Sequence, residues 1–223
     1  MNIRAVIFDM DGLMLDTEPL YRAAYRKAAA EFGYTLSETV HARLIGRNTR
    51  DVESSLMEEF GDAFPLDAFR DSLDRFEAGF AGGPLIKKSG LDELLAFLDA
   101  RSIPKAVATS TRRKMALPRL AVTGLLDRFD AVAAGDEVTH RKPAPDLFLL
   151  AADLLRVDPR DCLALEDSEA GVVAAHAAGM QVYMVPDLQP ESDLTKRLAS
   201  GVFDSLAGIA KHLEETWSGP AAV

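Results

Sequence analysis

The sequence predicts a doubly wound, parallel α/β fold of Rossmann-like layout, with a small helical domain inserted after its first strand. Three observations carry this expectation. From about residue 90 onward, short apolar runs alternate with amphipathic segments, as when parallel strands are joined through helices. Residues 18–80 break that alternation with one helical pattern after another and no convincing strand between them. The first apolar run ends in "IFDMDGLMLDT" (residues 7–17), which places Asp9, Asp11 and Asp16 where a buried strand has no packing use for them. The expected partition is a core of residues 1–16 and 84–223 and a helical domain of residues 17–83.

Ile3 to Phe8 reads as a buried strand, because Val6, Ile7 and Phe8 are successive bulky apolar residues. Aspartate is a poor strand former, so Asp9 and Asp11 need another reason to be there. A period of two sends both to the same side if the chain stays extended, and Gly12 then permits a tight turn. Two carboxylates about 4 Å apart repel by about 4 kcal/mol at an effective dielectric of about 20, unless a proton or a cation lies between them. A metal-and-phosphate site makes sense of that cost. Thr17 is placed to cap a helix with Pro19 in its first turn, and Leu20, Ala24, Ala28 and Phe32 recur on one face of it. "VESSLMEEF" and "LDAFRDSLDRFEAGF" continue the insertion, and "AGGPLIKKSG" returns the chain with glycines and a proline that suit a hinge. Helix "GLDELLAFLDA", strand "KAVATS" and helix "RRKMALPRLAV", interrupted by its proline, come next. Strand "FDAVAAG", helix "APDLFLLAADLL", strand "CLALEDS", helix "EAGVVAAHAAG" and strand "QVYMV" complete the alternation. Open sheets of this kind bind ligands beyond the carboxyl ends of their strands, where Asp9, Thr109, Asp136, Glu166 and Asp167 fall.

Composition narrows the function. The 223 residues suffice for one large α/β core and a smaller insert, and 48% apolar with 27% charged residues is ordinary for a water-soluble chain. No apolar run approaches a membrane span, and the N-terminus runs straight into a strand in place of a signal peptide. The single cysteine, Cys162, excludes an intramolecular disulfide and reads as a buried core thiol, so a cytoplasmic setting is expected. A net charge of −10 argues against nucleic-acid binding, and a phosphate ligand must then be held by local positive charge. His41, His140, His176 and His212 have no metal-binding spacing, and neither a Walker A pattern nor GxGxxG is present.

Four separated pieces assemble into one pattern: "DMDG" at 9–12, "ATST" at 108–111, "RKPAPD" at 141–146 and "LEDSEAG" at 165–171. In order and spacing, over essentially the whole chain, they resemble the haloacid dehalogenase superfamily, in particular its β-phosphoglucomutase-like phosphatases. The resemblance implies that Asp9 is a nucleophile forming an aspartyl-phosphate and that Asp11 is the general acid–base. It implies Mg²⁺ held by Asp9, the backbone carbonyl of Asp11 and Asp167, with Glu166 in the first shell or acting through water. Thr109 and the backbone amide of Ser110 would hold the phosphoryl oxygens, and Lys142 would offset the gathered negative charge. Asp16 is read as fixing the turn after the first strand, and Asp146 as opening a helix.

A carboxylic acid at position 11 marks, in this family, phosphoryl transfer to or from oxygen. Sugar phosphomutases of this type carry a histidine where this chain has Tyr21, within "DTEPLY". The expected function is therefore an Mg²⁺-dependent phosphatase of a small organic phosphate, acting as a monomer without nucleic-acid or membrane partners. A β-phosphoglucomutase and an idle phosphate-binding regulator are the alternatives. "GRNTRD" at 46–51 resembles the loop that binds the distal end of the substrate, with Arg50 either the contact or a solvated charge. Lys87 and Lys88 are read as solvated charges.

Overall fold

A computed structural model describes residues 3–44, 49–79, 83–188 and 190–217, with the backbone alone at residues 49 and 50. The chain forms two compact units, Met1–Asp16 with Ile86–Val223, and Thr17–Leu85. In chain order the elements begin with β1 (Ala5–Phe8), β2 (Leu15–Asp16), α1 (Glu18–Glu31), α2 (Glu38–Leu44), α3 (Thr49–Phe60) and α4 (Leu66–Ala78). Next come β3 (Ile86–Lys87), α5 (Leu91–Asp99), β4 (Lys105–Thr109), α6 (Arg113–Val122), β5 (Ala131–Ala134) and α7 (Asp146–Leu155). The last are β6 (Cys162–Glu166), α8 (Glu169–Ala177), β7 (Gln181–Met184), α9 (Asp193–Leu198), β8 (Gly201–Val202) and α10 (Leu206–Thr216).

Among the described residues the first unit holds a six-stranded sheet of order β5-β4-β1-β6-β7-β8, parallel throughout. β1 lies between β4 and β6, so the strand order reverses there. A crevice opens at such a switch point beyond the carboxyl end of the strand. Strand periodicity sorts the core. Ala5 and Ile7 of β1, Ala106 and Ala108 of β4, Ala133 of β5, Cys162 and Ala164 of β6 and Val182 of β7 join one cluster with Leu147 and Phe148 of α7 and Val172 of α8. Alanine at five of these strand positions lets α7 and α8 lie close to the sheet. Burial pushes the Cys162 thiol up to about 12, which makes it an inert part of this core.

The second unit is built from α1 to α4, with α1 packed on α4 and α2 on α3. Its core joins Ala28, Ala29, Leu36, Val40, Leu44, Leu56, Phe64 and Phe69. Tyr34, Phe60, Phe64 and Phe69 stack in a chain of ring contacts with centroids 5.0–5.1 Å apart. His41 is buried here, 3.5 Å from the Glu18 carboxylate and edge-on to Tyr25. Burial, then the Arg22 charge, lowers its pKa. It acts as a structural residue.

The structure departs from the sequence reading in four places. Thr17 occupies the N-cap of α1, but its side chain makes no capping hydrogen bond. α6 runs unbroken through Pro118, which is exposed, so the carbonyl it leaves without a donor can be hydrated. Part of the return segment read as linker pairs instead, β3 lying antiparallel to β2 with Leu15 opposite Lys87. Ala29 is fully buried on α1, whereas Phe32 only lines the edge of that core. No helix among the described residues is long and apolar enough to cross a membrane.

α5 begins at Gly90, whose φ of +85° and close approach to α10 both require glycine. A Cβ there would lie 2.0 Å from the backbone nitrogen of Ala207, an atom that cannot swing aside. Gly90→Ala is expected to destabilise the first unit by about 2–4 kcal/mol, read from the urea midpoint at unchanged slope. An unchanged midpoint would contradict this packing.

Candidate active site

The register of the sheet builds the first half of the site. Ile7 pairs with Ala106 of β4 and Phe8 with Leu165 of β6, so the next positions along, Asp9, Ala108 and Glu166, stand side by side on three neighbouring strands. By strand parity Asp9 and Glu166 fall on the α7 face of the sheet. Lys142 reaches them from the segment before α7, with its ammonium 4.8 Å from the ring centroid of Phe148. Its Nζ donates to Asp9 Oδ1 at 2.5 Å, to Glu166 Oε1 at 2.6 Å and to the Ala108 carbonyl at 3.0 Å. Three donors meet three acceptors, and the side chain is only 6% exposed. The Lys142–Pro143 peptide is cis. Burial works against the ammonium, but the charges of Asp9 and Glu166 outweigh it and raise the Lys142 pKa above the ordinary lysine value.

Asp11 is supported separately. The loop after β1 turns tightly, with the Met14 and Leu15 amides donating to the Met10 carbonyl and the Gly12 amide to the Leu15 carbonyl. Asp11 Oδ2 accepts from Thr111 Oγ1 at 2.7 Å and from Thr109 Oγ1 at 3.3 Å. Asp11 Oδ1 accepts from Arg119 Nη1 at 2.9 Å, and that arginine side chain is 1% exposed. The Thr109 hydroxyl also accepts from the Thr111 amide at 3.1 Å. Ser110 follows on the exposed turn, where Gly135 makes room: a Cβ at Gly135 would lie 2.1 Å from the Ser110 carbonyl oxygen.

Asp167 follows β6 directly, one residue past the position that stands beside Asp9. A Cβ at Gly12 would lie 2.2 Å from Asp167 Oδ2 and 3.4 Å from Asp187 Oδ2, so the glycine of "DMDG" leaves space for a neighbouring carboxylate as well as taking its φ of +89°. Burial first, then Glu166 and Asp9, push the Asp167 carboxyl well above the usual range. Burial likewise pushes Asp9 up to about 8, with Lys142 opposing and Glu166 and Asp11 adding to the rise. The pair therefore gains from added positive charge. Hard carboxylate oxygens on adjacent strand ends suit Mg²⁺, which keeps several waters and takes one or two protein carboxylates. Among the described residues no three His, Cys, Asp or Glu side chains are grouped to enclose a metal, and a two-carboxylate site requires none.

Glu166 and Lys88 differ from the sequence expectation. The sequence places Glu166 at the metal, directly or through water; in the structure both its oxygens accept from protein donors, which disfavours direct ligation. Oε1 takes Lys142, and Oε2 takes the amides of Asp167 and Ser168 and the Ser168 hydroxyl. Gly171 keeps that pocket open, since a Cβ there would lie 1.8 Å from the carboxyl carbon. The sequence reads Lys87 and Lys88 as solvated charges; Lys87 is one, in a surface pair with Asp92 at 2.8 Å, whereas Lys88 pairs with the less exposed Asp187 at 2.5 Å. Asp136 accepts from the first amide of α6, and Asp146 opens α7 while pairing with His140. Asp16 lies in β2. Tyr21 sits half-buried in the first turn of α1. Arg50 belongs to α3, its side chain outside the described residues, as are residues 46–48 of "GRNTRD".

Arg119, Thr111 and Asp187 were missed. Arg119 had a legible signal: it recurs with Met115, Ala116 and Leu120 on the buried face of α6, where a charge needs a partner.

A family model described as a hydrolase, haloacid dehalogenase-like hydrolase, matches residues 3–179. The phosphorylated carbohydrates phosphatase of Thermotoga maritima is 37% identical over 179 residues, which cover 80% of this chain and 83% of that protein. The fructose-1-phosphate phosphatase YqaB of Escherichia coli is 35% identical over 176 residues, covering 78% of this chain and 92% of that one. The crystal structure of CbbY from Rhodobacter sphaeroides in complex with phosphate superposes with a TM-score of 0.79 at 27% identity, over 97% of each chain.

Lys142 balances two carboxylates that have no other cation on the same atoms among the described residues. Lys142→Met is expected to destabilise the first unit by about 3–5 kcal/mol in urea unfolding, the cost of breaking a buried ionic cluster from one side. A loss within 0.5 kcal/mol, as at an ordinary surface site, would mean that the cluster does not hold the strands' ends together.

Proposed function

The chain belongs to the haloacid dehalogenase-like hydrolase family, and on that premise we propose that it hydrolyses a small phosphate monoester by way of a phosphoryl group carried on Asp9. It is a phosphoric monoester hydrolase like its phosphatase relatives, and two of those act by name on phosphorylated carbohydrates and on fructose 1-phosphate. A sugar phosphate or a similar metabolite is the substrate class we assign. The reading rests above all on the division of the two loop carboxylates between different partners: Asp9 on Lys142, Asp11 on Arg119 and Thr111.

In the first step a carboxylate oxygen of Asp9 attacks phosphorus and the bond to the leaving oxygen breaks. Asp11, protonated, gives its proton to that oxygen. In the second step Asp11 takes a proton from water, the water oxygen bonds to phosphorus, and the bond from phosphorus to Asp9 breaks to release phosphate. The Thr109 hydroxyl, turning its one proton from Asp11, and the amide of Ser110 are proposed to hold phosphoryl oxygens, and Lys142 holds Asp9 in place and favours its ionised form against the effect of burial. Asp9, Asp167 and the backbone carbonyl of Asp11 would hold Mg²⁺. When bound, that ion supplies positive charge against the phosphoryl oxygens. Tyr21 stands where mutases of the family carry histidine, which favours net hydrolysis over sugar-phosphate isomerisation.

Phosphate release from a panel of sugar, glycolytic and nucleotide monophosphates tests this. Activity is expected with Mg²⁺, to vanish with EDTA, to return on adding Mg²⁺, and to be absent in Asp9→Asn. Indifference to chelation sinks the metal assignment, and an active Asp9→Asn sinks the nucleophile. Glucose 1-phosphate isomerisation faster than phosphate release would favour the mutase reading. Arg50 is proposed to select among leaving groups. Arg50→Ala should lower kcat/KM about ten- to a hundredfold with a polar sugar and little with p-nitrophenyl phosphate. Equal loss with both would reject that role.

A further inference from the structure

We infer that Arg119 is the positioning residue of Asp11, holding the acid–base carboxylate in one orientation through the Oδ1 atom while Thr111 holds Oδ2. The inference rests on the reading of Asp11 as general acid–base and adds a residue to it. Arg119 lies on the buried face of α6 at 1% exposure, a place where the neighbouring helix positions are Met115, Ala116 and Leu120. An apolar side chain of similar length would fill that slot without burying a charge, so packing alone does not explain an arginine there. Its guanidinium ends 2.9 Å from Asp11 Oδ1.

The same stretch of chain supplies the other half of the grip. Thr111, on the turn into α6, donates to Oδ2 at 2.7 Å, and Thr109, at the end of β4, donates to the same atom at 3.3 Å. A carboxylate has about four lone-pair positions, and donors among the described residues occupy three of them, leaving one on Oδ1. A group that must give and then take a proton at fixed points in one turnover works only if its oxygens are aimed, and small misplacements are costly in rate. The tight turn fixes the backbone of Asp11 but leaves its side-chain torsions to be set by the groups that hold the carboxylate. Arg119 holds it from a helix.

The test uses a property that a merely structural arginine would not alter, the dependence on the leaving group. An alkyl leaving oxygen needs a proton as it departs, whereas p-nitrophenolate leaves well without one. kcat/KM, which reports the steps through expulsion of the leaving group, is measured for wild type and variants with p-nitrophenyl phosphate and with an alkyl phosphate that the wild type hydrolyses. Arg119→Met is expected to lose about tenfold or more additional kcat/KM on the alkyl ester than on the p-nitrophenyl ester. Thr111→Val should lose in the same direction by a smaller factor, and Asp11→Asn by a larger one. Arg119→Lys, which keeps the charge and gives up the planar fork, should fall between Arg119→Met and wild type. If Arg119→Met does not fold, as judged by circular dichroism, the ratio in Arg119→Lys and Thr111→Val decides. An unchanged ratio in folded Arg119 and Thr111 variants, with Asp11→Asn selective for the alkyl ester, overturns the inference and leaves the role of Asp11 standing. An unchanged ratio in Asp11→Asn rejects that role, and the inference falls with it.

Discussion

The ammonium of Lys142 is the point on which the rest of the site depends. It joins Asp9, Ala108 and Glu166, which occupy matching positions on three adjacent parallel strands, and it does so with all three of its donors. Sheet register alone brings two carboxylates side by side at the strand ends, and without a cation their repulsion would spread those ends apart. The lysine comes from the face occupied by α7, the face to which strand parity sends both Asp9 and Glu166. The alanines beneath it let α7 approach closely, and Phe148 of that helix lies under the ammonium. Packing, register and charge are therefore one arrangement.

The second carboxylate of the loop owes nothing to that lysine. Asp11 is held by Arg119, Thr111 and Thr109, all from β4, α6 and the turn between them. Separate supports allow two carboxylates two residues apart to differ in chemistry, as the proposed nucleophile and proton carrier must, because neither shares its counter-charge with the other. Glycines mark where this crowding is tightest. Gly12 faces Asp167, Gly135 faces the Ser110 carbonyl and Gly171 faces the carboxyl of Glu166, each within a distance that no Cβ tolerates.

Much of this was legible in the sequence because strand ends in a parallel sheet are few and polar residues there stand out. Asp9, Asp11, Thr109, Glu166 and Asp167 were found in that way, and Lys142 by its place in a motif. What stayed hidden follows from longer-range facts. Glu166 looked like a metal ligand because its position fits one, while the donors that occupy it come from its own loop and from Lys142. Lys88 looked solvated because its partner, Asp187, lies 99 residues away. β2 and β3 are two residues each, too short to show a period. Arg119 was passed over because an arginine in a helix is ordinarily a surface charge, although its spacing put it on the apolar face.

In the proposed reaction the chain's first strand ends in the nucleophile, Asp9. Rapid chemical quench of the enzyme during turnover, followed by peptide mass spectrometry, addresses it directly. A phosphoryl group is expected on the peptide from β1, localised to Asp9. A phosphoryl group on another residue, or turnover with no phosphorylated enzyme at any quench time under conditions that trap acyl phosphates, would contradict it.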